Sequence, residues 1–154
     1  MTGGTVAHSE IATNIVEALR RRLRGGSCRA FRGDLKVIAN GRVRYPDAVG
    51  TCAPVADRSD IVPEPVIVFE VLSASTASVD QIARNADYHA TASIRHYVMV
   101  EQTAVAATMF SRTGADWLGH LVTGDDALAF PDLGIDLPLS EVYAGIGPIE
   151  ARDD

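Results

Sequence analysis

Residues 65–76 read PVIVFEVLSAST, and the place of one glutamate in that run decides what kind of fold the chain builds. Ile67, Phe69 and Val71 form one alternating set, while Val66, Val68 and Leu72 share the other with Glu70. A strand that is apolar on both faces is a central strand covered on each side. A carboxylate buried there without compensation costs about 2–7 kcal/mol or more, depending on the reference state. Glu70 therefore requires a cation, a hydrogen-bond partner or a proton.

The segments around this strand follow the rules for a mixed sheet flanked by helices. Upstream, Ile11, Ile15, Leu19 and Leu23 recur at helical spacing, so a helix is expected over about 5–24, ended by Gly25-Gly26. His8, three residues before Ile11, lies on the inward stripe, and Glu10, Asn14, Glu17 and Arg21 lie on the wet side. Asn40-Gly41 between DLKVIA and RVRYPDAVG marks a hairpin, because both residues tolerate the positive φ of a type I′ turn. Counted from that turn, Val43, Tyr45, Asp47 and Val49 share a face, and Arg42 and Arg44 share the other. Asp47 is thus a second carboxylate on a face that reads as buried.

Downstream, SASTASVDQIARNADYHA reads as a helix with Ser75, Thr76 or Ser78 as its cap and Val79, Ile82, Ala83, Ala86 and Ala90 as its apolar stripe. Asp80, Arg84 and Tyr88 follow at four-residue intervals on a neighbouring stripe, and Asp80 with Arg84 has the spacing of a helix ion pair. IRHYVMVEQ and AVAATMFSR read as strands, LGHLVT and ALAF as weaker ones, and LSEVYAGI as a short helix with Ser140 as its cap. The fold class is α/β (α+β): one domain over 1–154, a central mixed sheet flanked by helices, with flexible ends at 1–4 and 148–154.

The 154-residue chain has 47% hydrophobic residues, enough for a real core, and no apolar run of the length that crosses a bilayer. MTGGTVAHSE lacks the basic and apolar regions of a signal peptide. Cys28 and Cys52 fit neither a disulfide scaffold nor a metal-site spacing, which reads as two reduced thiols in a cytoplasmic protein. The net charge of −6 is unevenly spread: Arg20 to Arg44 holds nine of the fourteen basic residues and one acid, a local +8 against −14 elsewhere. Arg20, Arg21, Arg22, Arg24, Arg42 and Arg44 are the candidate nucleic-acid contacts, set against the plainer reading of RRRLR as a solvated helix end.

Two carboxylates on adjacent strands suit a hard divalent cation, which takes carboxylate, carbonyl, water and phosphate oxygens. Asp47 and Glu70 are the candidate ligands of Mg²⁺ or Mn²⁺, with the backbone carbonyl of Val71 as a third oxygen. Such an ion would supply the charge that burial of Glu70 demands and the electrostatics of phosphodiester hydrolysis.

Four ordered pieces then carry a resemblance: YPDAVG (45–50), PVIVFEVLSAST (65–76), Asp80-x₃-Arg84-x₃-Tyr88 and SIRHYVMVEQ (93–102). Together they resemble the Uma-two family of restriction endonucleases, within the PD-(D/E)XK nuclease superfamily, over about His8 to Tyr143. The resemblance implies a restriction-endonuclease-like fold in which Asp47 and Glu70 match the metal ligands. It also matches His8, Asp80 and Tyr88 to the residues that support the site. The superfamily lysine, two residues past the glutamate, is displaced in this family onto the next helix. Leu72 stands at the first position here and Arg84 at the second.

Arginine keeps a positive charge for a phosphate but cannot act as a neutral amine. Lys36, the single lysine, lies on the first hairpin strand facing solvent. Two functions follow: a metal-dependent endonuclease acting on DNA with Asp47, Glu70 and Arg84 as its catalytic residues, or a nuclease fold that has lost turnover and serves as a metal- or nucleic-acid-binding or assembly module. Assembly stays open between monomer and homodimer, since AVAATMF (104–110) could pack within the fold or across a two-fold axis.

Overall fold

The computed structural model describes residues 4–73 and 78–147 of the chain. The elements run α1 (Val6–Leu23), β1 (Arg29–Arg32), β2 (Val37–Ala39), β3 (Arg42–Arg44), β4 (Ala48–Thr51), β5 (Pro65–Val71), α2 (Ser78–His89), β6 (His96–Val100), β7 (Ala106–Thr113), β8 (Asp116–Thr123), β9 (Ala127–Phe130), β10 (Ile135–Pro138) and α3 (Leu139–Val142). Six strands form one mixed sheet in the order β1-β4-β5-β6-β7-β8, with β5 antiparallel to β4 and parallel to β6. Strand β5 thus lies inside the sheet, as its two apolar faces require.

Each face of β5 has its own core. Ile67, Phe69 and Val71 pack with Ile11, Ile15 and Leu19 of α1, Leu139 and Val142 of α3, and Leu128 and Leu137 of the β9–β10 pair. Val68 packs on the other side with Val37 and Ala39 of the β2–β3 hairpin, Val62, Ile94, Tyr88 and Tyr97. The hairpin turns at Asn40 (φ 53°) and Gly41 (φ 76°), the positive-φ pair read from the sequence. At the start of α1 the Thr5 hydroxyl accepts from the His8 amide at 3.0 Å, a side-chain N-cap.

Several expectations are corrected. Cys28 and Cys52 form a disulfide and are not reduced thiols. The cause is register: β1 pairs with β4 so that Arg29 opposes Thr51, which brings the next residues outward, Cys28 and Cys52, side by side. The apolar stripe of α2 faces solvent, with Val79 75% and Ile82 67% exposed. Helix rotation is set instead by polar bonds from the opposite face, where Gln81 and Tyr88 reach inward and Asp87 is fully buried. Val43 and Tyr45 are likewise exposed while Val49 is fully buried, so Asp47 lies where that face passes from the core to an open cavity. Ser140 lies inside α3, which Pro138 precedes without a side-chain cap. Strand β7 is interior to the sheet, with Ala107 and Met109 of AVAATMF buried and Ala104 and Val105 exposed ahead of it. Ser75 and Thr76, candidate caps of α2, and the expected flexible ends at 1–3 and 148–154 lie outside the described residues.

Candidate active site

Strand register brings the two carboxylates together. Ala48 opposes Phe69 in the antiparallel β4–β5 ladder, so one step beyond the end of β4 places Asp47 opposite Glu70. The Asp47 carboxylate is anchored there by the Val71 amide, which donates to Oδ2 at 2.7 Å. Gly33 makes room for this approach: a Cβ on it would stand 2.9 Å from the Pro46 carbonyl oxygen. Both acids line a cavity of about 380 Å³ at the carboxyl end of β5, together with His8, Arg44, Gln81, Arg84 and Tyr88.

Glu70 is 5% exposed. The Tyr88 hydroxyl donates to its Oε1 at 2.7 Å, and an Arg84 guanidinium nitrogen stands 3.8 Å from Oε2. Burial first, and then the Asp47 charge, push its carboxyl up to about 7, against the opposing pull of Tyr88, Arg84 and Arg44. A neutral-range carboxyl beside a second acid is the signature of a site short of positive charge. The Tyr88 hydroxyl is itself raised, by burial and then by the Glu70 charge, so it stays a hydrogen-bond donor.

His8 leans over the pair from α1. Its Nε2 lies 3.3 Å from Asp47 Oδ1, yet this buried atom has no aligned hydrogen bond. Interaction with Asp47 raises the imidazole above its ordinary range, burial opposes the rise, and the Glu70 charge and Val71 backbone add to it. The two acids therefore meet one titratable cation, His8, on one side and a permanent one, Arg84, on the other.

Other expected site residues fall in different places. Asp80 is exposed and does not line the cavity; among the described residues no ion pair joins it to Arg84, which turns to Glu70 instead. Lys36 pairs with Asp60 at 3.1 Å. The six arginines expected to contact nucleic acid divide between two regions. Arg21 and Arg22 pair with Glu141, Arg20 donates to the Ala30 carbonyl, and Arg24 is exposed beside them at the helix end. Arg42 and Arg44 both reach the fully buried Asp87, at 2.9 and 2.5 Å, and Arg44 alone of the six lines the cavity. Burial opposes ionisation of Asp87, but Arg44, Asn40 and Arg42 together hold its carboxyl below the usual range.

Two contributors escaped the sequence reading. Asp87 aims Arg44 into the site, and Gln81 donates from Nε2 to the Tyr97 hydroxyl at 2.8 Å and to Asn85 Oδ1 at 3.0 Å. Gln81, Arg84 and Tyr88 stand at i, i+3 and i+7, so one helical face carries all three; that spacing was the available signal.

The sequence profile of the Uma2 family, described as "putative restriction endonuclease", matches residues 1–140. The chain belongs to the Uma2 family. An uncharacterised Synechocystis protein, slr1290, is 28% identical over 150 residues, covering 95% of this chain and 79% of that protein. A crystal structure from Anabaena variabilis, a "putative nuclease belonging to DUF820", superposes with a TM-score of 0.73 at 12% identity, over 91% of this Uma2 chain and 82% of its own. At that identity the likeness concerns the fold, and the fold is a nuclease-like mixed α/β sheet. No helix among the described residues of this family member is long and apolar enough to cross a membrane.

Proposed function

We propose that this Uma2 protein is a metal-dependent endonuclease that hydrolyses DNA phosphodiester bonds. The supporting observation is the pairing of Asp47 with a buried Glu70 whose carboxyl rises to about 7, in a cavity that also presents Arg84 and Arg44. The donor set fits Mg²⁺ or Mn²⁺, which bind through one or two carboxylates completed by carbonyl, water and phosphate oxygens. Among the described residues no group of three or more His, Cys, Asp or Glu side chains is spaced to hold a metal. The protein ligands would be Asp47, Glu70 and the Val71 carbonyl, which all line the cavity. When bound, the ion supplies Lewis acidity at water and phosphate oxygens.

The chain's own residues do the rest. The Val71 amide fixes the Asp47 carboxylate, and Tyr88 holds Oε1 of Glu70, so neither acid has rotational freedom to lose on binding. Arg84 offers a planar, permanently charged donor to a phosphate oxygen, and Arg44, braced by Asp87, offers a second from the hairpin. His8 neutralises part of the acid pair, its imidazole held above the ordinary range chiefly by Asp47. Arginine in place of the family lysine favours one competing reading, a fold that binds metal or nucleic acid without turnover.

Cleavage of supercoiled plasmid and single-stranded DNA with Mg²⁺, Mn²⁺ or EDTA, beside Asp47→Ala and Glu70→Ala, separates the readings. Metal-dependent cutting lost in both variants is expected. Folded protein that binds Mn²⁺ but cuts nothing would replace the enzyme reading with the binding module. Failure to bind Mn²⁺ at all would remove the metal site.

A further inference from the structure

Strand β8 is the last strand of the six-stranded sheet, and its outer edge carries eight residues, DWLGHLVT, with no lysine, arginine or proline. Natural edge strands are commonly guarded by such residues, by a bulge or by a covering element, because an unpaired row of N–H and C=O groups accepts another strand. Here the strand is regular throughout its pairing with β7, from Asp116 opposite Thr113 to Thr123 opposite Ala106. Leu118 is 60% exposed and Leu121 66%, and Asp116 and His120 are exposed as well. On the opposite face the Phe110 ring lies where a Cβ on Gly119 would stand, 2.7 Å away.

The side chains of β8 are complementary to their own reverse. Asp116, Leu118 and His120 alternate on one face of the strand, two residues apart. Turned antiparallel against itself about Leu118, the strand sets Leu118 against its own copy. It sets Asp116 against the partner's His120, and His120 against the partner's Asp116. Every facing position then has the same parity, so the outward backbone groups meet each other whichever alternate set points away from β7. Cross-strand contacts of apolar and opposite-charge residues are the pairs that stabilise such a ladder. Any shift by one position in this arrangement would oppose faces, and a shift by two would bring Leu118 opposite the partner's His120 or Asp116.

We propose that the free edge of β8 pairs antiparallel with β8 of a second copy of this chain, Leu118 lying on the two-fold axis between two Asp116–His120 pairs. The two six-stranded sheets become one continuous sheet, joined through residues 116–120 of each copy. Each copy keeps its own cavity, since β8 is separated from β5 by β6 and β7. The inference is therefore independent of the proposed activity.

The register gives a test that a generic sticky surface would not pass. Sedimentation velocity over about 5–500 μM should show a concentration-dependent dimer. Leu118→Lys should raise its dissociation constant by about tenfold or more. Asp116→His and His120→Asp, each alone, place like residues opposite each other and should also weaken it. Mixed one to one, those two variants should recover the dimer as a heterodimer, because both facing pairs become His with Asp again. Parent protein that stays monomeric at every concentration would overturn the proposal. So would a dimer that Leu118→Lys leaves intact, or single variants that weaken it without recovery on mixing. Far-UV circular dichroism checks that each variant is folded; the substituted side chains are all exposed.

Discussion

Replacing Glu70 by glutamine tests the electrostatics of the site without any substrate. Glu70 titrates near 7 in the folded chain against an ordinary 4.5, chiefly because of burial and then the Asp47 charge. An acid whose folded pKa is raised holds a proton that the unfolded chain has released, so stability is lost as pH rises from about 4.5 through 7. At about 1.36 kcal/mol per pKa unit, ionised Glu70 costs the metal-free protein about 3 kcal/mol above pH 7. Glutamine keeps an acceptor for the Tyr88 hydroxyl and removes the charge. In EDTA at pH 8, Glu70→Gln should therefore be more stable than the parent by about 2–3 kcal/mol, or about 4–10 °C in unfolding midpoint. The difference should shrink to about 0.4 kcal/mol near pH 4.5, where the folded parent carries the proton and the unfolded chain is half protonated. Added Mn²⁺ should close the gap: the parent gains about 2.7 kcal/mol at a hundredfold excess over its dissociation constant, and the variant gains little. Urea unfolding from pH 4.5 to 8 reads all of this. A variant no more stable than its parent at pH 8 would refute the account of Glu70 as an uncompensated buried acid.

Three further outcomes follow from neighbouring geometry. Arg84→Ala should lower metal-dependent DNA cleavage by about 100-fold, while Arg84→Lys stays within about tenfold of the parent, as expected for a charge aimed at phosphate; equal cleavage by Arg84→Ala would take Arg84 out of the site. Asp87→Asn should destabilise the protein above the aspartate range, and the deficit should fade as acid protonates the parent's Asp87, whose carboxyl is held low by Arg44, Asn40 and Arg42; a deficit constant down to pH 2 would contradict that charge pairing. Reduction of the Cys28–Cys52 bond, which spans a 24-residue separation, should cost about 3 kcal/mol of stability. Thiol titration should find both cysteines only after reduction, and two free thiols in the unreduced protein would return the pair to the earlier expectation.

Much of the site was legible because alternation and turn chemistry are local. The I′ turn at Asn40-Gly41 fixes the hairpin, and two-residue periodicity identifies Glu70 as an acid in a central strand. Helical spacing put His8 inward and Arg84 and Tyr88 on one stripe, and the structure brings all three to the cavity. The same reasoning misplaced the apolar stripe of α2. A helix of this length has no reason in its own sequence to prefer one face over the other when both have something to bury. The buried bonds from Tyr88 to Glu70 and from Arg44 to Asp87 are long-range, and they hold the polar face in.

The sequence by itself determined the central strand, its flanking helices and the presence of acids that burial would penalise, since each follows from residues a few positions apart. Tertiary structure decided which acids meet, which arginines serve them and which cysteines pair. Asp47 faces Glu70, and Cys28 faces Cys52, through strand registers between segments about twenty residues distant. Arg44 and Arg84 arrive from a hairpin and a helix that are distant in sequence and meet around the sheet. Contacts of that kind depend on how strands slide and helices rotate against one another, and the free energy that selects one arrangement belongs to the packed whole.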